Sequence, residues 1–380
     1  MKEPLISILM PNHNGGNYIA EAIQSVLNQT CKDYELLIIE DASSDNSREI
    51  IQQFEDERIR VIRNATNEHI CVSLNRGLKE ARGKYIARLD SDDRWYPDKL
   101  EKQLAYMESH NNCGAAFSWV NVIDEQGKSL TAEESFFVEL FRAKNRSRDQ
   151  WIRDFFFEGS CLCHPSAMLR RDVVTELGGY RNSLVQIQDF DLWTRIVKCC
   201  EIYVFEEALM DYRHALKGGN VSAQTQTNCM RTDYELYNVL THYFDDLTDQ
   251  EFKRIFAADF KRPDAATHNE LNCERALMML EPLRCGNVAK LGGMDLLARL
   301  IDDEETRIML RDVYGITQHN FYQLSGSPSL WREVEPRVES FDYDSLSTGR
   351  LVRLMVRKIL KACPPLFRLA DRTYHLIKKQ

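Results

Sequence analysis

Apolar runs and amphipathic stretches alternate along the N-terminal quarter of the chain. Leu5-Ile6-Ser7-Ile8-Leu9-Met10 is a short apolar run stopped by Pro11, which predicts a buried strand. Residues 19–29 then place Ile19, Ala22, Ile23, Val26 and Leu27 at helical spacing. A second strand is predicted over 34–39. A polar turn over 41–45 opens a helix over 47–54, and a third strand follows over 58–63. Residues 73–81 read as a helix with Gly83 as its C-cap, and 85–89 as a fourth strand running into Asp90-Ser91-Asp92-Asp93. Strand and helix in strict alternation imply right-handed crossovers and a parallel sheet with helices on both faces.

After Pro97 the spacing predicts a helix over 98–109 and a strand over 114–122. A charged and aromatic stretch over 131–157 reads as helical around 151–157, and 166–170 as a strand followed by a helix. A helix over 189–199 and a strand over 202–205 complete the pattern. Beyond residue 222 strand signals fade, and 234–244, 249–260, 270–281, 294–302 and 304–314 all carry helical periodicity. The expected organisation is an α/β domain over 1–221, a helical region over 222–348 and a basic amphipathic tail over 349–380, without internal repeats or low-complexity segments.

Composition narrows the partner classes. A chain of 380 residues with 43% apolar content can bury a large core. The net charge of −9 argues against nucleic-acid binding, which needs a basic face for phosphates. That charge is unevenly placed: nine Lys/Arg and one Asp in 349–380 make +8 and leave −17 for the rest. Within the tail, Leu351, Val352, Met355, Val356, Ile359 and Leu360 share one helical face, and Arg350, Arg353, Arg357, Lys358 and Lys361 the other. Such a segment either packs on the acidic body or lies on an anionic membrane surface. No apolar run of about 18 residues is present to span a bilayer. Scattered cysteines, odd in number, and no secretory signal point to a reducing, cytoplasmic compartment, with peripheral association at the inner membrane face through the tail. Cys161-Leu162-Cys163-His164 and Cys199-Cys200 lack the spacing of a structural zinc site and are expected as buried apolar thiols.

Ligands of an open parallel sheet sit beyond the carboxyl ends of its strands. Three polar clusters fall there: Pro11-Asn12-His13-Asn14 with Gly15-Gly16 after the first strand, Glu40-Asp41 after the second, and Asp90-Ser91-Asp92-Asp93 after the fourth. Any one alone is an ordinary solvated turn. Gathered on one edge, their carboxylates repel unless a cation compensates. Hard oxygen ligands suit Mg2+ or Mn2+ bridging to a diphosphate. GxGxxG and GxxxxGK(S/T) are absent after the first strand, so phosphate is expected on a metal and not on a glycine-rich loop.

The motifs ISILMPNHN, YELLIIEDASSDNS, NEHICVSLNRGLKEARGKYIARLDSDD, HPSAMLRR, ELGGYR, QDFDLW and MDYRH follow one another from Ile6 to His214. In order and spacing they resemble the family 2 glycosyltransferases, over more than half of the chain. The resemblance implies a GT-A fold, a Rossmann-like, mostly parallel sheet flanked by helices. It implies transfer of a sugar from a nucleoside-diphosphate donor, a UDP-sugar first of all, to a hydroxyl of a glycan or lipid-linked acceptor in cell-surface polysaccharide biosynthesis. By position, Asp41 matches the acidic contact to the uracil base, and Pro11 and Asn14 match the edge of the nucleotide pocket. Asn67, Asn75 and Gly77 match the segment that supports that pocket. Asp90 and Asp92 match the DXD pair, with Asp92 on the metal, Asp90 on ribose or metal, and Asp93 orienting the loop. Asp189 matches the general base that deprotonates the acceptor hydroxyl. Trp193, one turn on, and His164 are candidates for the acceptor wall.

These residue types suit that chemistry. A sugar hydroxyl is a poor nucleophile at neutral pH and gains from a carboxylate base, while the departing diphosphate gains charge that a metal stabilises. One base and no carboxylate nucleophile imply direct displacement with inversion. Two positions depart from the family pattern. Gln188 stands where a glutamate usually precedes the base, and Tyr212-Arg213-His214 is one residue shorter than Tyr-Arg-x-His, which leaves His214 as a metal ligand or a plain loop histidine. No QxxRW motif follows the base, so one sugar per encounter is expected. A sugar-phosphate nucleotidyltransferase would need Arg and Lys in the first loop, which PNHNGGNY lacks. A non-catalytic sugar-nucleotide-binding scaffold is the remaining alternative, suggested by Gln188 and the irregular histidine.

Overall fold

A computed structural model of the chain describes residues 3–215, 225–281, 283 and 288–327. The end of the helical region and the basic tail over 349–380 lie outside the described residues.

Eight strands form one sheet: β1 (Ile6–Asn12), β2 (Tyr34–Asp41), β3 (Ile59–Asn64), β4 (Tyr85–Arg88), β5 (Arg94–Trp95), β6 (Cys113–Ile123), β7 (Met168–Arg170) and β8 (Glu201–Arg213), in the order β3-β2-β1-β4-β7-β6-β8-β5. The pairings β1·β2, β1·β4, β2·β3 and β6·β8 are parallel and those of β7 and β5 antiparallel, so six strands share one direction and two oppose them. The mostly parallel sheet is therefore as expected, and the two reversed strands are the departure. Every residue of β1 and β2 is buried, as befits strands covered on both faces. Alternate side chains feed two cores: Leu9, Leu37 and Ile39 on one face, Ile8, Met10, Leu36 and Ile38 on the other.

Helices α1 (Ile19–Leu27), α2 (Ser47–Ile51), α3 (His69–Glu80) and α4 (Lys99–Ser109) connect the early strands. Between β6 and β8 come α5 (Phe137–Leu140), α6 (Arg148–Glu158), α7 (Arg171–Glu176) and α8 (Gln188–Cys199). The helical region supplies α9 (Gln226–Thr241), α10 (Asp249–Phe256), α11 (His268–Leu280), α12 (Val288–Asp302), α13 (Glu304–Tyr314) and α14 (Gln318–Ser325). Thr248 and Thr267 close capping boxes with Glu251 and Glu270, which fixes where α10 and α11 begin.

The helical region does not stand apart from the sheet. Phe156 of α6 packs against Tyr243, Phe244 and Phe256, and Leu236, Val239 and Phe252 join the same core as Trp151 and Phe190. Arg153–Asp259 at 2.6 Å and Arg254–Asp149 at 2.7 Å tie α6 to α10 and the turn after it. The residues on either side of the expected 221/222 boundary thus belong to one compact unit.

Three local expectations change. Pro11 lies inside β1, opposite Ile39, because pairing with β4 has already ended at Leu9 and a missing N–H breaks no ladder on that side. Gly83 is not a C-cap: α3 ends in extended backbone at Ala81, and Gly83 passes against β1, where a Cβ would lie 2.4 Å from the Ser7 nitrogen. β8 runs on to Arg213, well past the predicted end at Phe205.

Candidate active site

The carboxyl ends of β1, β2, β4 and β8 open onto one cleft of about 860 Å3. At its first end the fold collects an amide-rich rim. Asp41 closes β2 with its Oδ1 accepting from the Asn64 side chain at 2.7 Å and the Glu68 N–H at 2.8 Å. His13 donates from Nδ1 to the Asp41 carbonyl at 2.7 Å and accepts at Nε2 from the Asn14 and Asn67 amides, each at 3.1 Å, the neutral tautomer that fits all three bonds. Asn14 holds Ser44 N–H at 2.8 Å through its own carbonyl. Asn14, Ala42 and His69 adopt φ of 58°, 54° and 63°, a costly left-handed backbone for residues other than glycine and one that concentrates at sites. Pro11, Asn14, Asp41 and Asn67 all line this end, as the sequence suggested.

The acidic loop after β4 forms the floor. Buried Arg88 donates from Nη2 to Asp90 Oδ1 at 2.5 Å, while its Nε finds no partner. Arg213, at the end of β8, clamps the loop: its N–H donates to Asp93 Oδ1 and its Nε to the Asp92 carbonyl, both at 2.7 Å. Asp93 thus orients the loop, and its buried Oδ2 has no hydrogen-bond partner. Loss of water, reinforced by the charge on Asp90, pushes the Asp92 carboxyl up to about 7. Burial raises Asp93 well above the carboxylate range as well.

This is an excess of negative charge at hard oxygen atoms, with an orphaned carboxylate oxygen beside it, and it fits a divalent cation. Asp92, with Asp90 beside it, would hold such an ion. Among the described residues no three His, Cys, Asp or Glu side chains converge as a metal cluster. The His214 side chain has partners of its own. Its Nδ1 meets the Ser135 hydroxyl at 2.9 Å and its ring sits edge-on to Phe137, so it is absent from the cleft wall that Arg213 and Ala215 line.

Asp189 faces the same cleft from the first turn of α8. Burial, with Asp90 adding to it, pushes its carboxyl up to about 6, against a bond from the Phe190 N–H at 2.8 Å. Beside it, Gln188 presents a buried Oε1 with no partner. Asp191, one step further, is committed to Arg181 at 2.9 Å and Arg195 at 2.7 Å. His164 lines the cleft and meets the Tyr180 hydroxyl at 2.9 Å, and burial with help from Arg88 keeps its imidazole neutral. Asn75 holds Tyr180 in turn, donating to its carbonyl at 2.7 Å and accepting from its N–H at 2.9 Å. Gly77 lets α3 approach β1 and β2, since a Cβ there would meet Ile39 at 2.8 Å. Trp193 does not line the cleft: it is fully buried against Phe117 and His164, a core residue one layer behind the wall. Phe137, Leu140, Phe141 and Leu162 supply an apolar wall instead.

Residues 7–178 match the profile of Glycosyl transferase family 2. An uncharacterized glycosyltransferase of Methanocaldococcus jannaschii is 34% identical over 248 residues, covering 64% of this chain and 81% of that protein. The chain is a family 2 glycosyltransferase. The O-antigen biosynthesis glycosyltransferase WbnJ of Escherichia coli is 30% identical over 233 residues, 59% of this chain and 85% of that protein. The fold of S. aureus TarS residues 1–349, solved in complex with UDP-GlcNAc, superimposes with a TM-score of 0.54 at 13% identity, over 84% of this chain and 90% of that one.

For this glycosyltransferase, sequence reasoning passed over His13, Arg88, Arg213 and Tyr180 as parts of the site. Arg88 and Arg213 stood inside the quoted motifs, and a basic residue flanking an acidic loop was the available signal. His13 sat in the first polar cluster. Tyr180 stood in ELGGYR, but its place in the site comes from His164 and Asn75, which are distant in sequence.

Proposed function

We propose that this family 2 glycosyltransferase is an inverting enzyme that moves a sugar from a nucleoside-diphosphate donor, a UDP-sugar first of all, to a hydroxyl of a glycan or lipid-linked acceptor in cell-surface polysaccharide synthesis. The observation that carries the reading is the pairing, in one cleft, of a DXD carboxyl that burial pushes up to about 7 and a second carboxyl near 6. Asp41, Pro11, His13 and Asn14 would seat the nucleoside. Asp92 and Asp90 would hold Mg2+ or Mn2+, which neutralises the diphosphate as it departs. Asp189, charged above pH 6, would take the proton of the acceptor hydroxyl. Of the side chains flanking the base, Gln188 is neutral and Asp191 is paired with two arginines, so neither offers a carboxylate nucleophile. Direct displacement with inversion follows. The apolar wall of Phe137, Leu140 and Phe141 suits an acceptor with an apolar portion, and a role for 349–380 at an anionic membrane surface agrees with it.

The test is UDP or GDP release from UDP-glucose, UDP-galactose, UDP-N-acetylglucosamine and GDP-mannose with Mn2+, with water or added acceptor. TarS, which shares the fold, was solved with UDP-GlcNAc, so that donor is the first probe. Metal-dependent release that falls in Asp189→Asn is expected, and an anomeric product of inverted configuration by NMR. Release from no donor, or a retained configuration, refutes the reading.

A further inference from the structure

Glu235 lies on α9, in the helical region, and it is 1% exposed. A carboxylate so deeply buried needs partners for its charge. Its partners come from the loop just before the base. The Val185 N–H donates to Oε1 at 2.8 Å, and the Gln186 and Ile187 N–H groups donate to Oε2 at 2.8 and 3.0 Å. Ile187 is the N-cap of α8 and has no side-chain oxygen to offer its own helix. Glu235 therefore provides, from another element, a carboxylate at the positive end of α8, where N–H groups and the helix dipole favour negative charge. On the other side, the Cys71 thiol of α3 donates to the Leu184 carbonyl at 3.1 Å. The turn over 184–187 is thus gripped from α3 and from α9, and Gln188 and Asp189 follow it directly. Leu236, next to Glu235, lines the same cleft as Val185, Ile187 and Asp189.

We propose that Glu235 is a positioning residue for the general base, so that the helical region forms part of the catalytic apparatus. The inference rests on the assignment of Asp189 as base. Three charge-assisted bonds to consecutive amides fix the turn, and the turn fixes where the first turn of α8 places the Asp189 carboxylate. Misplacement of a reacting group by about 1 Å costs up to ~10²-fold in rate. Glu235→Gln keeps the shape but turns an N–H2 towards amide N–H groups. Glu235→Asp keeps the charge on a side chain one methylene shorter.

The full chain with Mn2+ is assayed for UDP release from UDP-N-acetylglucosamine, or from the donor above that is hydrolysed fastest, with Mn2+·UDP affinity measured by calorimetry. In Glu235→Gln, kcat is expected to fall by about tenfold to a hundredfold, with donor KM and Mn2+·UDP affinity within about twofold of the parent. Glu235→Asp is expected to recover part of that loss. Added to Asp189→Asn, Glu235→Gln is expected to change kcat no further. A folded Glu235→Gln chain with parental kcat overturns the proposal. So does a fall in kcat matched by equal loss of Mn2+·UDP affinity, the mark of a merely structural role, or full additivity with Asp189→Asn. If Glu235→Gln does not fold, Glu235→Asp with parental kcat overturns it. Parental turnover by Asp189→Asn refutes the base assignment instead, whatever Glu235 does.

Discussion

Replacing Asp189 with asparagine is expected to move activity and stability in opposite directions. The carboxyl sits at about 6 in the folded chain against an ordinary value of 3.8. Between those values the folded chain holds a proton that the unfolded chain has released. Stability therefore falls as pH rises across that window, and the full cost is present above 6. Below the ordinary value both states are protonated and the cost vanishes. The difference corresponds to about 3 kcal/mol, or about 1–2 kcal/mol once the partial exposure of the residue is allowed for. Asparagine has the same shape and no charge. The variant should gain about 1–2 kcal/mol at about pH 7.5 and almost nothing at about pH 4. Urea denaturation of metal-free protein at the two pH values measures this. Activity goes the other way: loss of a general base costs about 10²–10⁴-fold in kcat. In the parent, kcat should rise about tenfold per pH unit up to 6 and level off above it. A variant destabilised equally at both pH values would show that the site supports the carboxylate rather than penalising it. Undiminished transfer would remove Asp189 from the mechanism.

Asp92→Ala should weaken Mn2+-dependent UDP binding by about tenfold or more, read by calorimetry with and without Mn2+; unchanged metal dependence refutes Asp92 as ligand. Asp90→Asn should lower stability by about 1–3 kcal/mol, because it takes the charge from the partner of buried Arg88, and a neutral or stabilising result in urea denaturation refutes that pairing. Gly83→Ala should cost about 1–3 kcal/mol, since its methyl would press on the Ser7 nitrogen at 2.4 Å and the Ile6 carbonyl carbon at 2.6 Å, both backbone; a parental denaturation midpoint refutes the close approach. Removal of residues 349–380 should abolish flotation with vesicles of anionic phospholipid, and equal flotation refutes the membrane reading of the tail.

The sheet was legible where its strands are covered on both faces. The runs around Leu9, Leu37 and Ile86 admit few other readings, because apolar residues on alternate sides feed both cores. β5 was not legible, since two residues carry no periodicity, and Arg94-Trp95 is a strand only by pairing with Asp211 and Met210. β8 was cut short because Glu206 and Glu207, exposed in mid-strand, interrupt the apolar signal. In the site, carboxylates at strand ends could be picked out, because they are local and costly to gather. What could not be picked out was which side chains answer them. Glu235 reaches amides 48 to 50 residues away, and Arg213 reaches Asp92 across 121. Trp193 shows the converse: helical spacing put it on the same helix as Asp189, but only packing decides that its face points into the core.

The two arginines of the cleft explain why the acidic loop is asymmetric. Arg88 spends Nη2 on the Asp90 carboxylate, so that charge is partly answered within the fold. Arg213 spends its loop contacts on the Asp92 carbonyl and, through its backbone, on Asp93, and it pairs with Glu21 at 2.7 Å. The loop is thereby held by its backbone, while burial, with the charge on Asp90 adding to it, pushes the Asp92 carboxyl up to about 7 although both arginines pull the other way. A fold that neutralised the acidic loop fully would have nothing left to offer a cation. The remaining negative charge is the part of the site that a metal and a diphosphate can complete, and its cost in the cleft is offset when they bind.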